Sequence, residues 1–144
     1  MSIFNAVDLS CPSCGGPVRF NAVFSLNADR RKDLRMAVLD GSFQRETCTQ
    51  CGKGFRLDPS FTYIDVEHDQ WIAAHPYAHL DEWEQLERQA RATFNKAYGA
   101  SASKEAREIG ERMKPRITFG WAALREKIVA AEVKLDDVVL ELTK

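Results

Sequence analysis

Cys11-Pro-Ser-Cys14-Gly15-Gly16 and, after a gap of 33 residues, Cys48-Thr-Gln-Cys51-Gly52 decide how this chain folds. Each is a CxxCG unit. Two thiolates two residues apart sit on one tight turn with both sulfurs directed at one metal. The glycine after each second cysteine tolerates positive φ, which lets backbone amides turn toward the thiolates and spread their charge. Pro12 stiffens the first turn. The gap exceeds the roughly 15–20 residues of the compact four-cysteine pattern, and it leaves room for a strand and a helix. Cys11, Cys14, Cys48 and Cys51 are therefore the expected ligands of one structural Zn2+ per chain. Four thiolates fill a tetrahedral site and leave no open position for catalysis, so no catalytic residue is expected and the chain reads as a non-enzyme.

Two other chemistries draw on the same residues. Iron in a rubredoxin-like site takes the same four sulfurs. Cys11-Pro-Ser-Cys14 also resembles a dithiol redox motif, although such a motif stands at a helix start after a strand, with one CxxC rather than two. Here glycine and a strand follow.

Outward from the knuckles, Pro17 to Ala28 alternates apolar and polar residues and predicts a strand with Val18, Phe20, Ala22, Phe24 and Leu26 on one face. Asp29 is placed to cap a short helix from about Arg30 to Leu39, with Leu34 and Val38 inward and Gly41 ending it. Phe43 to Thr47 reads as extended. Beyond the second knuckle, Phe55 to Leu57 and Phe61 to Val66 read as strands around an Asp58-Pro59-Ser60 turn, with Phe61, Tyr63 and Asp65 on one face. Trp71-Ile72 extends this region, and His75-Pro76 marks a boundary.

The remainder reads as helical. Leu80, Trp83, Leu86, Ala90, Phe94 and Ala97 form one helical stripe that stops at Gly99. Ser101 or Ser103 caps a second helix to about Met113, ended by Pro115. A third runs from Gly120 to about Val133 with Trp121, Leu124, Ile128 and Ala131 inward. The spacing predicts one buried cluster containing Trp83, Leu86, Phe94, Trp121, Leu124 and Ile128. Asp136 caps a last short segment with Val139 and Leu142, which either docks on the domain or continues in a longer natural chain. The expected architecture is α+β: a zinc-ribbon-like antiparallel β region with an inserted short helix over residues 1–75, followed by a helical C-terminal region over 76–144.

The composition is that of an ordinary domain, with 44% hydrophobic and 28% charged residues among 144 and a net charge of −1. Nothing in that balance attracts nucleic acid globally. No apolar run approaches the roughly 18 residues of a membrane span, and Met1 to Asp8 lacks the pattern of a signal peptide. A cytoplasmic setting with reduced thiols is the expectation, where paired CxxC motifs are more often metal ligands than disulfides. The basic run Arg30, Arg31, Lys32 and Arg35 is interrupted by acids and reads as a solvated helix face. Asp65, Glu67 and Asp69 read as a solvated strand end, and His68, His75 and His79 as surface or capping residues. There is no phosphate-binding glycine loop, serine nucleophile motif or helical HExxH.

The stretch from about Asp8 to Val66 resembles the CpXC domain, a bacterial family with two CxxC knuckles. The resemblance rests on Cys-Pro-Ser-Cys-Gly-Gly at 11–16, Phe-Ser-Leu-Asn-Ala at 24–28, Leu-Arg-Met-Ala-Val-Leu-Asp-Gly at 34–41, Thr-Cys-Thr-Gln-Cys-Gly at 47–52 and Phe-Thr-Tyr-Ile-Asp at 61–65. Thr49 stands where the family often has proline, which loosens that turn without removing a ligand. The resemblance implies a zinc-ribbon-like fold and a zinc site, and it offers little about activity. The expected role is a zinc-stabilised module that presents a surface to another protein. A nucleic-acid-binding zinc ribbon and a thiol redox protein are the competing readings.

Overall fold

The computed structural model of the chain describes residues 1–136 and Val139. The expected segment after Asp136 otherwise lies outside the described residues. The fold is α+β. Strands β1 (Ile3–Ser10), β2 (Pro17–Asn27), β5 (Phe61–Asp65), β6 (Gln70–His75) and β7 (Lys114–Phe119) form a mixed sheet in the order β1-β2-β5-β6-β7. Helix α1 (Lys32–Asp40) and a two-stranded hairpin, β3 (Arg45–Thr47) and β4 (Gly54–Arg56), lie in the connection between the parallel neighbours β2 and β5. A 3-10 helix (Tyr77–Glu82), α2 (Trp83–Tyr98) and α3 (Lys104–Arg112) connect β6 to its parallel neighbour β7, and α4 (Gly120–Glu132) follows.

Two of these strands differ from the sequence expectation. β1 pairs antiparallel with β2 from Ile3 to Ser10, so the first knuckle is a hairpin turn. β7 lies in the tail that reads as helical. Pro115 ends α3 as expected, but the chain then extends beside β6 as an edge strand, where a proline in a sheet is tolerated. The apolar face of β2 also departs from simple alternation. Between Ile3↔Ser25 and Phe4↔Val23 the register shifts, leaving Phe24 as the extra residue of a bulge. Val23 and Leu26 consequently face one core together, Phe20 packs against Phe55 of the hairpin, and Phe24 is exposed.

Each face of the sheet has its own core. On one, Ile72 and Ala74 of β6 join Val23, Leu26, Phe61 and Tyr63 beneath Val38 of α1 and Leu124 and Ile128 of α4. On the other, Trp71 and Ala73 pack with Ala90 and Phe94 of α2 and with Met113. The single cluster expected of the tail is thus divided by the sheet. α2 and α4 cover opposite faces, because β6 carries alternate side chains to both. Leu86, Ala90 and Phe94 are buried as the stripe requires, whereas Leu80, Trp83 and Ala97 are exposed. The stripe ends on Tyr98, which packs against this second core.

The caps follow the sequence in part. Gly41 ends α1 at φ 84°, and Ser103 Oγ accepts from the Ala106 amide at the start of α3. Asp29 does not cap α1. Its carboxylate accepts from the Val66 and Glu67 amides at 2.9 and 3.0 Å, tying the β2 end to the turn after β5.

Candidate metal centre

Both knuckles are hairpin turns of the same build. In the first, the Cys11 amide donates to the Gly16 carbonyl and the Gly15 amide to the Cys11 carbonyl; in the second, Cys48 donates to Lys53 and Gly52 to Cys48. Gly15 and Gly52 stand at φ 74° and 70°, where a side chain would be strained. The expectation of positive φ at these two glycines is met.

What brings the turns together is mostly the segment between them. Gln44, at φ 59°, breaks the extended run expected from Phe43. Its side chain takes the place of a strand partner for β2: Oε1 accepts from the Val23 amide at 3.0 Å and Nε2 donates to the Asn21 carbonyl. Phe20 and Phe55 add a ring contact at 6.2 Å. From the tail, Trp121 Nε1 donates to the Leu57 carbonyl at 2.9 Å, and the Arg56 guanidinium lies 3.6 Å over the Trp121 ring. α4 therefore braces the strand that leaves the second knuckle.

The result is a cluster of four sulfurs from Cys11, Cys14, Cys48 and Cys51, all within 4.8 Å of one another. The closest pairs cross between knuckles: Cys11 Sγ to Cys51 Sγ at 3.8 Å and Cys14 Sγ to Cys48 Sγ at 3.7 Å. A tetrahedron with metal–sulfur bonds of about 2.3 Å has edges of about 3.8 Å, so the spacing fits one tetrahedral ion. The cysteines are free thiols rather than disulfides. Cys11 and Cys48 are buried, Cys14 and Cys51 exposed, so the cluster lies at the surface with one side toward solvent.

The local charges favour a cation. The Ser13 amide points at Cys11 Sγ at 3.4 Å and, with the Cys14 amide and neighbouring thiols, holds the Cys11 thiol at about 7, below its ordinary 9. At Cys14 the Gly16 amide pulls the same way, but desolvation and the three neighbouring sulfurs outweigh it and push the thiol up to about 12. Four sulfurs this close do not all ionise alone, and a divalent ion removes that conflict.

Compared with known families, residues 9–144 match CpXC protein. The chain belongs to the CpXC family. The match spans the tail as well as the knuckles, further than the Asp8 to Val66 stretch whose motifs resemble the family. No curated protein and no solved structure matches.

Other residues singled out in this CpXC chain sit elsewhere. Asp65 is not a solvated strand end but is buried, 2% exposed. It accepts from the Tyr63 hydroxyl at 3.0 Å and the Arg35 guanidinium at 3.3 Å, and it holds His68 Nδ1 at 2.8 Å. Burial first, and then the Asp65 charge, push the Tyr63 hydroxyl far above its usual range. Arg35 also reaches Glu132 of α4 at 2.7 Å, so the run of cations on α1 is not wholly a solvated face. This network had no sequence signal, because Arg35, Asp65 and Glu132 meet only through the topology. Among the described residues no helix is long and apolar enough to cross a membrane.

Proposed function

We propose that this CpXC protein is a zinc-stabilised protein-interaction module in which the metal is structural. The observation that carries the reading is the cross-knuckle spacing of 3.8 and 3.7 Å among four sulfurs. Four thiolates occupy every position of a tetrahedral ion, which leaves none for a substrate or an activated water. Zinc in such a site holds two hairpin turns together and has no redox chemistry of its own.

The partner surface in this reading is the outer face of α4. That helix buries Leu124 and Ile128 yet exposes Val129 at 46%, and Val133 at 67% and Leu135 are exposed just beyond its end. Val129, Val133 and Leu135, with Ala122, line one shallow groove. A helix apolar on two sides calls for cover on both. The occupant that suits the groove is an amphipathic helix of another protein with its apolar stripe inward.

Cross-linking or pull-down of native partners with wild type and Val133→Glu tests this. Partners that bind the wild type and are lost from a folded Val133→Glu variant support the proposal. Partners retained equally by both contradict the surface assigned. Binding that survives removal of the metal contradicts the structural role of zinc.

A further inference from the structure

On the inner side of α4, away from the knuckles and meeting the outer groove at Ala130 and Leu135, lies a cavity of about 300 Å3. Its floor is the end of the sheet. Gln70 and Ile72 of β6 are in register with Lys114 and Arg116 of β7, and Ile72 faces the core under α4, so Lys114 and Arg116 lie on that same face. Among the described residues β7 is the edge strand of the sheet. The roof is α4, where Ala130 and Ala131 are too small to fill the space above them. Lys134, in the left-handed conformation at φ 54°, turns the chain at the roof's end.

The walls are strongly positive. Among the described residues, five lysines and arginines line the cavity together with His68, against two carboxylates, Asp69 and Asp136. Asp69 is already paired with Arg112 at 3.7 Å. Lys114 and Lys134 make no ion pair among the described residues. His68 Nδ1 is held by Asp65, which leaves Nε2 as the ring nitrogen available to a ligand. Gln70 donates its Nε2 to the Lys127 carbonyl at 2.7 Å, and its buried Oε1 has no partner among the described residues. Cations concentrated around a small concave volume favour a compact anion, and an orphaned buried carbonyl calls for a donor.

We propose that this cavity binds a small phosphomonoester that also carries hydroxyl groups, with Lys114 and Lys134 at the phosphate and Gln70 Oε1 accepting from a ligand hydroxyl. A phosphomonoester brings close to two negative charges at neutral pH, which suits the excess of cations better than a single carboxylate. The volume lies at the lower end of that of ligand pockets, the size for a phosphorylated sugar rather than a dinucleotide.

The test uses the metal-loaded full chain, with glucose 6-phosphate, inorganic phosphate and glucose as probes in calorimetry and amide-shift NMR. The expected result is binding of glucose 6-phosphate at about 1 mM or tighter, with shifts centred on Gln70, Lys114 and Lys134. Inorganic phosphate should bind more weakly and glucose not at all. Lys114→Glu, and Lys114→Gln should the reversal perturb folding, should weaken binding by about tenfold or more, as the loss of a charge-assisted hydrogen bond does. Lys104→Glu on exposed α3, with the same change of net charge, should leave it unaltered. Gln70→Leu should remove the preference for glucose 6-phosphate over phosphate. The proposal is overturned if glucose 6-phosphate fails to bind at about 10 mM, or if Lys104→Glu weakens binding as much as Lys114→Glu. It is also overturned if a short oligonucleotide shifts these residues while glucose 6-phosphate does not, since the face would then serve a polymer backbone.

Discussion

Cys11 Sγ stands 3.8 Å from Cys51 Sγ, across two hairpin turns whose cysteines are 40 residues apart in the chain. Contact over that separation requires every element between the turns to place the second against the first. Gln44 on the β2 backbone, Phe55 on Phe20, and Trp121 under β4 are the groups that do so. The four-cysteine cluster therefore depends on the tail as well as on the segment between the knuckles.

Trp121→Phe tests that dependence. The ring survives, but the Leu57 carbonyl loses its donor. The expected cost is about 1–2 kcal/mol in urea denaturation. Metal transfer to a chelator should also quicken, because the strand leaving the second knuckle is less firmly held. An unchanged transfer rate would mean that α4 does not brace the knuckle.

Gly110 marks the close approach of α3 to α2. A Cβ built there would lie 2.5 Å from Tyr98 Cβ and 3.2 Å from its carbonyl oxygen. Gly110→Ala should therefore destabilise the protein by about 1–3 kcal/mol despite alanine's better helix propensity. A stabilised variant in urea denaturation would contradict this packing.

The buried Asp65 and Arg35 are coupled. Asp65→Ala leaves the Arg35 guanidinium, whose side chain is only 13% exposed, with Glu132 as its one carboxylate partner among the described residues, and it leaves the buried Tyr63 hydroxyl without its acceptor; it should cost about 1–3 kcal/mol. Arg35→Met combined with Asp65→Leu should recover much of that loss, since it removes both charges at once. If the double variant is no more stable than Asp65→Ala, the pair is not the source of the cost.

His75 supplies a pH dependence. Burial first, and the nearby His79 second, hold its pKa below the ordinary value of 6.5. The unfolded chain then binds a proton that the folded chain resists. Stability is full above about 6.5 and falls as pH drops from there through the lowered folded value. Denaturation midpoints at pH 7.5 and 5.5 should fall less in His75→Gln than in the wild type. Equal declines would show that His75 does not contribute.

The sequence made the four-cysteine cluster legible because CxxCG is a local pattern: cysteine spacing and glycine φ both sit within six residues. The α+β class, α1 with its Gly41 stop, and the Ser103 cap were legible for the same reason. The rest was hidden by non-local effects. β1 was missed although its chain leads directly into a hairpin knuckle. β7 was missed because Lys114 and Arg116 face a polar cavity, which removes the apolar alternation from that side of the strand. Phe24 looked buried until the bulge moved it outward. Asp65 looked solvated in an acidic run, and only the packing of α1 against the sheet brings Arg35 to it.

The most direct measurement is the metal content of protein purified without chelator, with sulfur X-ray absorption and circular dichroism before and after chelation. A structural four-thiolate site contributes on the order of 10–16 kcal/mol in small zinc peptides, comparable with the net stability of a whole domain. The account predicts one zinc per chain with four sulfurs at about 2.3 Å, lost in Cys48→Ser, and collapse of the ribbon's tertiary signal when the metal is removed. Protein free of metal with Cys11 and Cys14 joined as a disulfide, or protein that keeps its native signal after chelation, would contradict it.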